Sequence, residues 1–177
     1  MNVTNRDPMK VDEEFVKSLR DTEHGLAFAI ACRAAKESPD PSTKNGACLL
    51  CRSGAHGAGR SFFTDCNRFS VLDAGPDADD THNLDPLLAD RDTKLGWIEH
   101  AERNVIFKAI RAGADVKGSK LYCPFSACTD CARAIVLTGV AEVVRMPKTV
   151  IPWPESWAKS IEMADAIMKK GGVKVTD

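Results

Sequence analysis

The chain begins with a segment whose apolar residues recur on one helical face. It runs from about Val11 to Glu37, with acidic residues in its first turn. The apolar positions are Phe15, Val16, Leu19, Leu26, Ala27 and Ile30. Ser38-Pro39-Asp40-Pro41 follows, and the residue before a proline is disfavoured in helix. The pattern predicts one helix over 11–37.

A short apolar run with strand character comes next. Ala47 to Cys51 is flanked by polar residues, and Ser53-Gly54 offers a hairpin turn. A second strand then reaches about Phe63. These signals predict an antiparallel pair.

The second half of the chain repeats one pattern three times: an apolar-periodic helix, a glycine, then a β-rich run. The helices are Glu99–Ala112, Thr129–Thr138 and Glu155–Lys170, and the runs that follow are Lys120–Cys123, Ala141–Met146 and Val173–Val175. Successive units of this kind favour neighbouring parallel strands with right-handed crossovers. We therefore expect an α/β fold with one mixed sheet and helices on both faces.

Between these two halves the periodicity lapses over about residues 61–96. This segment is rich in aspartate and carries Pro76 and Pro86. A loop of this length in a compact domain is typically a lid, a partner surface or a disordered insertion. The sequence predicts a single domain over 1–177 with an acidic loop insertion.

Composition narrows the functional class. The 177 residues are 44% hydrophobic and 28% charged, with a net charge of −1, so no cationic field attracts a polynucleotide. No apolar run approaches the roughly 20 residues of a membrane span, and no signal-peptide core is visible, so we expect a cytoplasmic protein. Seven cysteines, an odd number, favour reduced or metal-bound thiols over a disulfide framework.

Two metal-binding motifs open two of the predicted helices. His100-Ala101-Glu102 starts one, and Cys128-Thr129-Asp130-Cys131 starts the next. Residues two apart in a helix point to nearly opposite sides, so His100 and Glu102 share a target only off the helix N-terminus. Two converging N-termini favour thiolates. One imidazole and two thiolates then leave the fourth zinc position to water, as in catalytic sites.

These residues suit a hydrolytic deamination. Zinc lowers the pKa of its water toward neutrality, but the reaction also needs protons at a ring nitrogen and at the departing amine. Glu102 is the predicted catalytic residue, because a carboxylate beside the metal can relay those protons.

The joint motif resembles the signature of the cytidine/deoxycytidylate deaminase superfamily, H-x-E followed by P-C-x-x-C. Flanking segments are similar to the deoxycytidylate branch over most of residues 11 to 175. They are Ile98–Asn104, Leu121-Tyr122, Cys131–Ile135, and Asp40–Lys44 ahead of Gly46-Ala47. The resemblance implies a three-layer α/β/α sandwich with about five strands and Zn²⁺ as cofactor. It also implies a small-molecule cytosine substrate, deoxycytidylate (dCMP) converted to dUMP and ammonia, and a homo-oligomer, dimer or hexamer.

The chain departs from the family pattern at three places. Ala127 replaces the usual proline, which leaves the ligands in place. The family's asparagine after the second strand is not recognisable in Gly57–Ser61. Asn45 replaces an apolar residue near the first strand, where it is a candidate to face the pocket.

Further residues are candidate substrate contacts. Ala101 and Ser126 flank the ligands, and Tyr122 and Trp153 are candidates to stack on a base, as are Trp97, Phe62 and Phe63. Cations for a phosphate are Arg60, Arg68, Arg91, Lys94 and Arg103, although each is equally explained as a solvated charge.

Several alternatives remain open. Cys128 and Cys131 could pair with Cys48 and Cys51 in a closed four-cysteine site, although residues three apart on a strand face opposite ways. Cys66 and His82 could hold a second metal. The substrate alternatives are a free nucleoside or a purine base, and a non-catalytic zinc protein is a third reading.

Overall fold

The computed structural model of the protein describes residues 22–52, 59–69, 90–153 and 155–177. Its helices are α1 (Glu23–Lys36), α2 (Arg91–Trp97), α3 (Ala101–Arg111), α4 (Thr129–Leu137) and α5 (Ala158–Lys170), the last preceded by a 3₁₀ turn over Glu155–Trp157. Its strands are β1 (Gly46–Arg52), β2 (Arg60–Cys66), β3 (Arg68–Phe69), β4 (Ile98–Glu99), β5 (Lys120–Cys123), β6 (Glu142–Arg145) and β7 (Lys174–Thr176).

Five of these strands form the predicted mixed sheet, in the order β2-β1-β5-β6-β7. β1 pairs antiparallel with both β2 and β5, whereas β5, β6 and β7 run parallel. The parallel half arises from the three repeated helix–strand units, because each helix returns the chain to the same end of the sheet. Gly113 and Gly139 take φ values of 73° and 77° just after α3 and α4, which ends these helices as predicted.

Helices cover the sheet on both faces, which confirms the α/β class. On the α1 face, Phe28 and Ala31 pack against Cys48, Leu50 and Tyr122. On the α3 face, helices α3, α4 and α5 pack on the alternate strand residues, Ala47, Leu49, Cys51, Leu121 and Val143. Because successive strand residues point to opposite sides, the side chains of one sheet belong to two separate apolar cores.

Gly46 allows α1 to lie close against the start of β1. A Cβ atom there would lie 2.1 Å from the Ala31 carbonyl oxygen and 2.6 Å from the Ala35 nitrogen, both backbone atoms that cannot move aside. Only glycine fits, and the close approach fixes where β1 begins.

Two predicted segments differ from the structure in their bounds. The described part of the first helix begins at Glu23, because the Thr22 side chain caps it by accepting a hydrogen bond from the Gly25 nitrogen. β2 extends to Cys66, and residues 91–97 are helical, so both ends of the predicted 61–96 loop are regular structure. Residues 1–21, 53–58 and 70–89 lie outside the described residues, with most of the predicted acidic insertion. Among the helices that the structure describes, none has the length and hydropathy of a membrane span.

Candidate metal centre and active site

His100 and Cys128 occupy equivalent positions at the starts of two helices. His100 is the N-cap of α3 and Cys128 the N-cap of α4, both with extended backbone, and neither side chain caps its own helix. Both side chains are therefore free to project beyond the helix ends. Cys131, one turn into α4, points to the same place.

The three side chains lie at distances that suit one metal ion. The His100 Nδ1 atom is 3.4 Å from the Cys128 sulfur and 3.6 Å from the Cys131 sulfur. A tetrahedral zinc with bonds of about 2.3 Å to sulfur and about 2.0–2.1 Å to nitrogen holds two such atoms about 3.6 Å apart. All three donor atoms lie within 4.8 Å of one another, so the structure brings together the residues that the motif predicted as ligands.

Hydrogen bonding among the three donor groups shifts their pKa values in different directions. A hydrogen bond from the Cys131 thiol, helped by the His100 ring, lowers the pKa of Cys128 to about 3 despite burial. That same bond, together with burial, raises the pKa of Cys131. Burial opposes the charged form of His100, but its bond to Cys128 and the charge of Glu102 raise its pKa. A divalent cation would displace these protons and take their place.

Glu102 lies beside the ligands and is only 2% exposed. Its Oε1 accepts a hydrogen bond from the Cys123 thiol at 3.3 Å, and its Oε2 lies 3.8 Å from the Cys131 sulfur. Burial raises the pKa of Glu102, an effect that the His100 charge only partly offsets. A carboxyl group whose pKa is raised holds a proton more readily than a free carboxyl group, which suits it to general acid–base chemistry.

Asn67 is a supporting residue that the sequence reasoning missed. Its Oδ1 accepts the Ala101 backbone N–H at 2.8 Å, and its Nδ2 donates to the Thr43 carbonyl at 2.9 Å. It thus ties the start of α3 to the loop before β1. The signal for it is an asparagine directly after a strand, but the strand was predicted to end at about Phe63, and the family's asparagine was expected within Gly57–Ser61. β2 in fact ends at Cys66.

Trp157 is a second residue near the ligands that the sequence did not predict. Its ring centroid lies 6.0 Å from that of His100, with the planes tilted by 36°. It belongs to the 3₁₀ turn before α5 and packs against the α3-face core. An aromatic in an apolar-periodic segment carries no local sign that it will contact a metal ligand.

Three other predicted contacts have polar or ring partners within the protein. Ala101 is fully buried next to His100, and its N–H is already taken by Asn67. The Ser126 hydroxyl accepts a hydrogen bond of 2.6 Å from Arg145. The Arg145 guanidinium lies over the Trp153 ring, 4.8 Å from the ring centroid. Their roles as substrate contacts remain predictions.

Tyr122 and Arg60 contradict their predicted roles. Tyr122 lies on the α1 face, where its hydroxyl donates to Glu23 at 2.9 Å and its ring meets Phe28 edge-on. The residue before Cys123 must point away from Glu102, because successive strand residues face opposite sides. Arg60 is 64% exposed and pairs with the same Glu23, so it lies with Tyr122 on the far side of the sheet from the ligands.

The other predicted cations whose side chains the structure describes each have a carboxylate partner. Arg68 pairs with Asp65, and Arg103 pairs with Glu99. Lys94 is buried, and its Nζ atom lies 2.9 Å from the Oδ1 atom of Asp40. The Arg91 side chain lies outside the described residues. Among the aromatic candidates, Trp97 and Phe62 are exposed, and Phe63 packs against the α3-face core.

The alternative of a closed metal site formed by four cysteines is wrong. Cys48 belongs to the α1-face core, whereas Cys51, Cys128 and Cys131 belong to the α3-face core, so the sheet separates Cys48 from the other three cysteines. For a second metal at Cys66, the predicted partner His82 lies outside the described residues. Cys66 itself is buried and accepts a 3.5 Å contact from Arg68.

Known proteins resemble this chain in sequence and in fold. A family profile for the cytidine and deoxycytidylate deaminase zinc-binding region matches residues 21–146. A probable deoxycytidylate deaminase of Drosophila melanogaster is 28% identical over 146 residues, 79% of this chain and 66% of its own length. A deoxycytidylate deaminase of Mus musculus is 30% identical over 126 residues, 67% of this chain and 61% of its own. The chain thus spans about two thirds or less of these relatives.

A solved structure of similar fold is the apo dCMP deaminase of cyanophage S-TIM5. It aligns with a TM-score of 0.52 over 93% of this chain and 98% of its own, at 17% identity. At that identity the likeness concerns the fold alone, and it agrees with the mixed sheet described above.

Proposed function

Since this chain belongs to the cytidine and deoxycytidylate deaminase family, we propose that it is a zinc-dependent enzyme that hydrolyses the amino group of a cytosine nucleotide. The proposed reaction converts dCMP and water to dUMP and ammonia. One observation carries the proposal: three donor atoms at zinc-like spacing share a buried site with a carboxyl group of raised pKa.

The residues present fit zinc. His100, Cys128 and Cys131 would hold it, because imidazole and thiolate ligands suit the borderline-soft zinc ion and their spacing matches a tetrahedral site. When bound, zinc would supply the Lewis acidity that makes water a nucleophile at neutral pH.

Glu102 would handle the protons. It is buried beside the ligand group. One carboxylate oxygen accepts a hydrogen bond from the Cys123 thiol, and the other lies toward the Cys131 sulfur. A proton received there from water can pass to the ring nitrogen, and a second transfer can convert the amino group into ammonia, a better leaving group. A purely structural zinc site has no use for such a carboxyl group, which argues against a non-catalytic protein.

The relatives' names support a nucleotide substrate, and one structural observation supports the alternative of a free nucleoside. The described cations Arg60, Arg68, Lys94 and Arg103 all pair with carboxylates, which lowers their availability for a phosphate. Incubating the zinc-loaded protein with dCMP, cytidine, deoxycytidine, guanine and adenosine, and measuring ammonia, would separate these substrates. Turnover of dCMP supports the proposal, and turnover of a nucleoside alone would replace it with the alternative.

Substituting Glu102 tests the mechanism. We expect Glu102→Ala to keep about one zinc per chain and to lower turnover by about 10²–10⁴-fold or more, because the proton relay is gone while the ligands remain. Exposed Glu162 on α5 provides the control, and Glu162→Ala should change neither value. Loss of zinc together with activity in Glu102→Ala would make Glu102 a structural residue instead.

A further inference from the structure

Asn45 carries an unpaired polar atom in the interior. The residue is 5% exposed, and its Oδ1 has no hydrogen-bond partner among the described residues. A buried carbonyl oxygen without a donor is destabilising, so such atoms usually have a partner in the working state of a protein.

The position of Asn45 is fixed from two sides. It precedes Gly46, which the close contact with Ala31 holds in place, and its backbone oxygen accepts the Asn67 N–H at 3.0 Å. Along β1, alternate residues Ala47, Leu49 and Cys51 face α3, and Asn45 continues that series. Its side chain therefore lies on the face that holds the candidate active site.

A short chain of polar contacts links Asn45 to that site. Its side chain is a hydrogen-bonding neighbour of the Cys123 thiol, and the Cys123 sulfur lies 3.3 Å from the Glu102 carboxylate. Asn45 is thus one residue removed from the predicted proton relay. Nearby Asn67 differs, because its Oδ1 and Nδ2 are both engaged with the backbone.

We propose that Asn45 is a specificity-determining residue, whose Oδ1 accepts a hydrogen bond from an N–H or O–H group of the substrate. This inference rests on the proposed function and adds to it a contact that selects the substrate. A carbonyl oxygen cannot recognise a phosphate, which offers only acceptors at neutral pH. The donor is therefore the amino group of the base or a hydroxyl of the sugar.

The test replaces Asn45 by leucine, which has nearly the same shape and no polar atoms. We expect Asn45→Leu to lower kcat/KM for the preferred cytosine substrate by about tenfold, the worth of one hydrogen bond. The melting temperature should stay level or rise, because a buried unpaired carbonyl has been removed. A structural asparagine would show the opposite, a lower melting temperature with normal kinetics.

Ser119 provides a matched control. Its Oγ is also buried without a partner among the described residues, but it lies just before β5, at the end of that strand remote from Cys123. Ser119→Ala should leave kcat/KM unchanged. If the leucine variant does not fold, Asn45→Ala serves in its place, with the same expected kinetics.

The two possible donors are separated with a substrate that lacks the sugar 3′-hydroxyl. If the hydroxyl is the donor, the tenfold penalty of Asn45→Leu disappears with the 3′-deoxy compound; if the amine is the donor, it persists. Either result supports the inference. An unchanged kcat/KM in the variant, with an active unmodified protein, overturns the inference alone, whereas an inactive unmodified protein overturns the proposed function.

Discussion

The two faces of the central sheet are built from the same strands but treat polar groups differently. On the α1 face, Phe28, Val144 and Met146 surround Tyr122, and the one phenol oxygen reaches Glu23 at 2.9 Å. On the α3 face, the end of β5 carries Cys123 beside Glu102, and Asn45 nearby has an oxygen without a partner in the described structure.

The contrast between neighbours on one strand shows what separates packing from function. Tyr122 and Cys123 are adjacent in sequence and both fully buried, yet one completes an apolar core and the other contacts the candidate catalytic carboxyl group. On the α1 face the Tyr122 hydroxyl is paired within the protein, although the Nδ1 atom of His24 beside it has no partner among the described residues. A face that binds a ligand keeps a few buried polar groups convergent on the space where the ligand enters.

Replacing one buried cysteine on each face should produce the largest difference in turnover and zinc content. Cys131 and Cys48 are both fully buried, on the α3 and α1 faces respectively. We expect Cys131→Ala to abolish turnover and to lower zinc affinity by more than the about 10- to 100-fold that loss of an outer-shell partner costs. Cys48→Ala should keep zinc and turnover and cost about 1 kcal/mol of stability. Zinc content and ammonia release measure both, and equal zinc loss in the two variants would contradict the division.

Truncating the α1-face core should affect stability without affecting chemistry. Phe28 is nearly fully buried and meets the Tyr122 ring at 5.8 Å between centroids. Phe28→Ala should lower the free energy of unfolding by about 3–5 kcal/mol, as for other buried phenylalanines, with kcat per folded molecule unchanged. Urea denaturation gives the first value. Phe107→Ala, at an exposed position of α3, is the control and should cost far less. A fall in kcat of folded Phe28→Ala would mean that the faces are coupled.

Removing the Tyr122 hydroxyl should have the smallest effect. Glu23 keeps Arg60 and Lys120 as partners, so Tyr122→Phe should cost about 1 kcal/mol of stability, the worth of one hydrogen bond. KM for the nucleotide should not change, because the ring lies on the face opposite the ligands. The denaturation midpoint and the KM measure these effects. A KM several-fold higher would restore Tyr122 as a substrate contact.

The sequence predicted the repeated half of the fold well because its signals are local. Each helix there ends at a glycine with positive φ or just before one, and strand β5 has the predicted bounds Lys120–Cys123. The ligand group could be predicted from the sequence for the same reason, because His100 and Cys128 occupy the N-cap positions that the motif indicated. Predicted boundaries were wrong where the sequence signal for a strand end was weak, as at the end of β2. That error is why Asn67 was not predicted as a residue of the site.

By itself, then, the sequence determined the periodicities, the helix starts and the metal-binding motif, because propensity, capping and ligand spacing act over a few residues. Only the tertiary structure decided which alternate residues of β1 and β5 face the centre. That choice depends on which helices pack on which face, and so it separated Tyr122 from Cys123 and Cys48 from Cys51. It also brought Asn45 within reach of Cys123, 78 positions along the chain, a contact that no local pattern encodes.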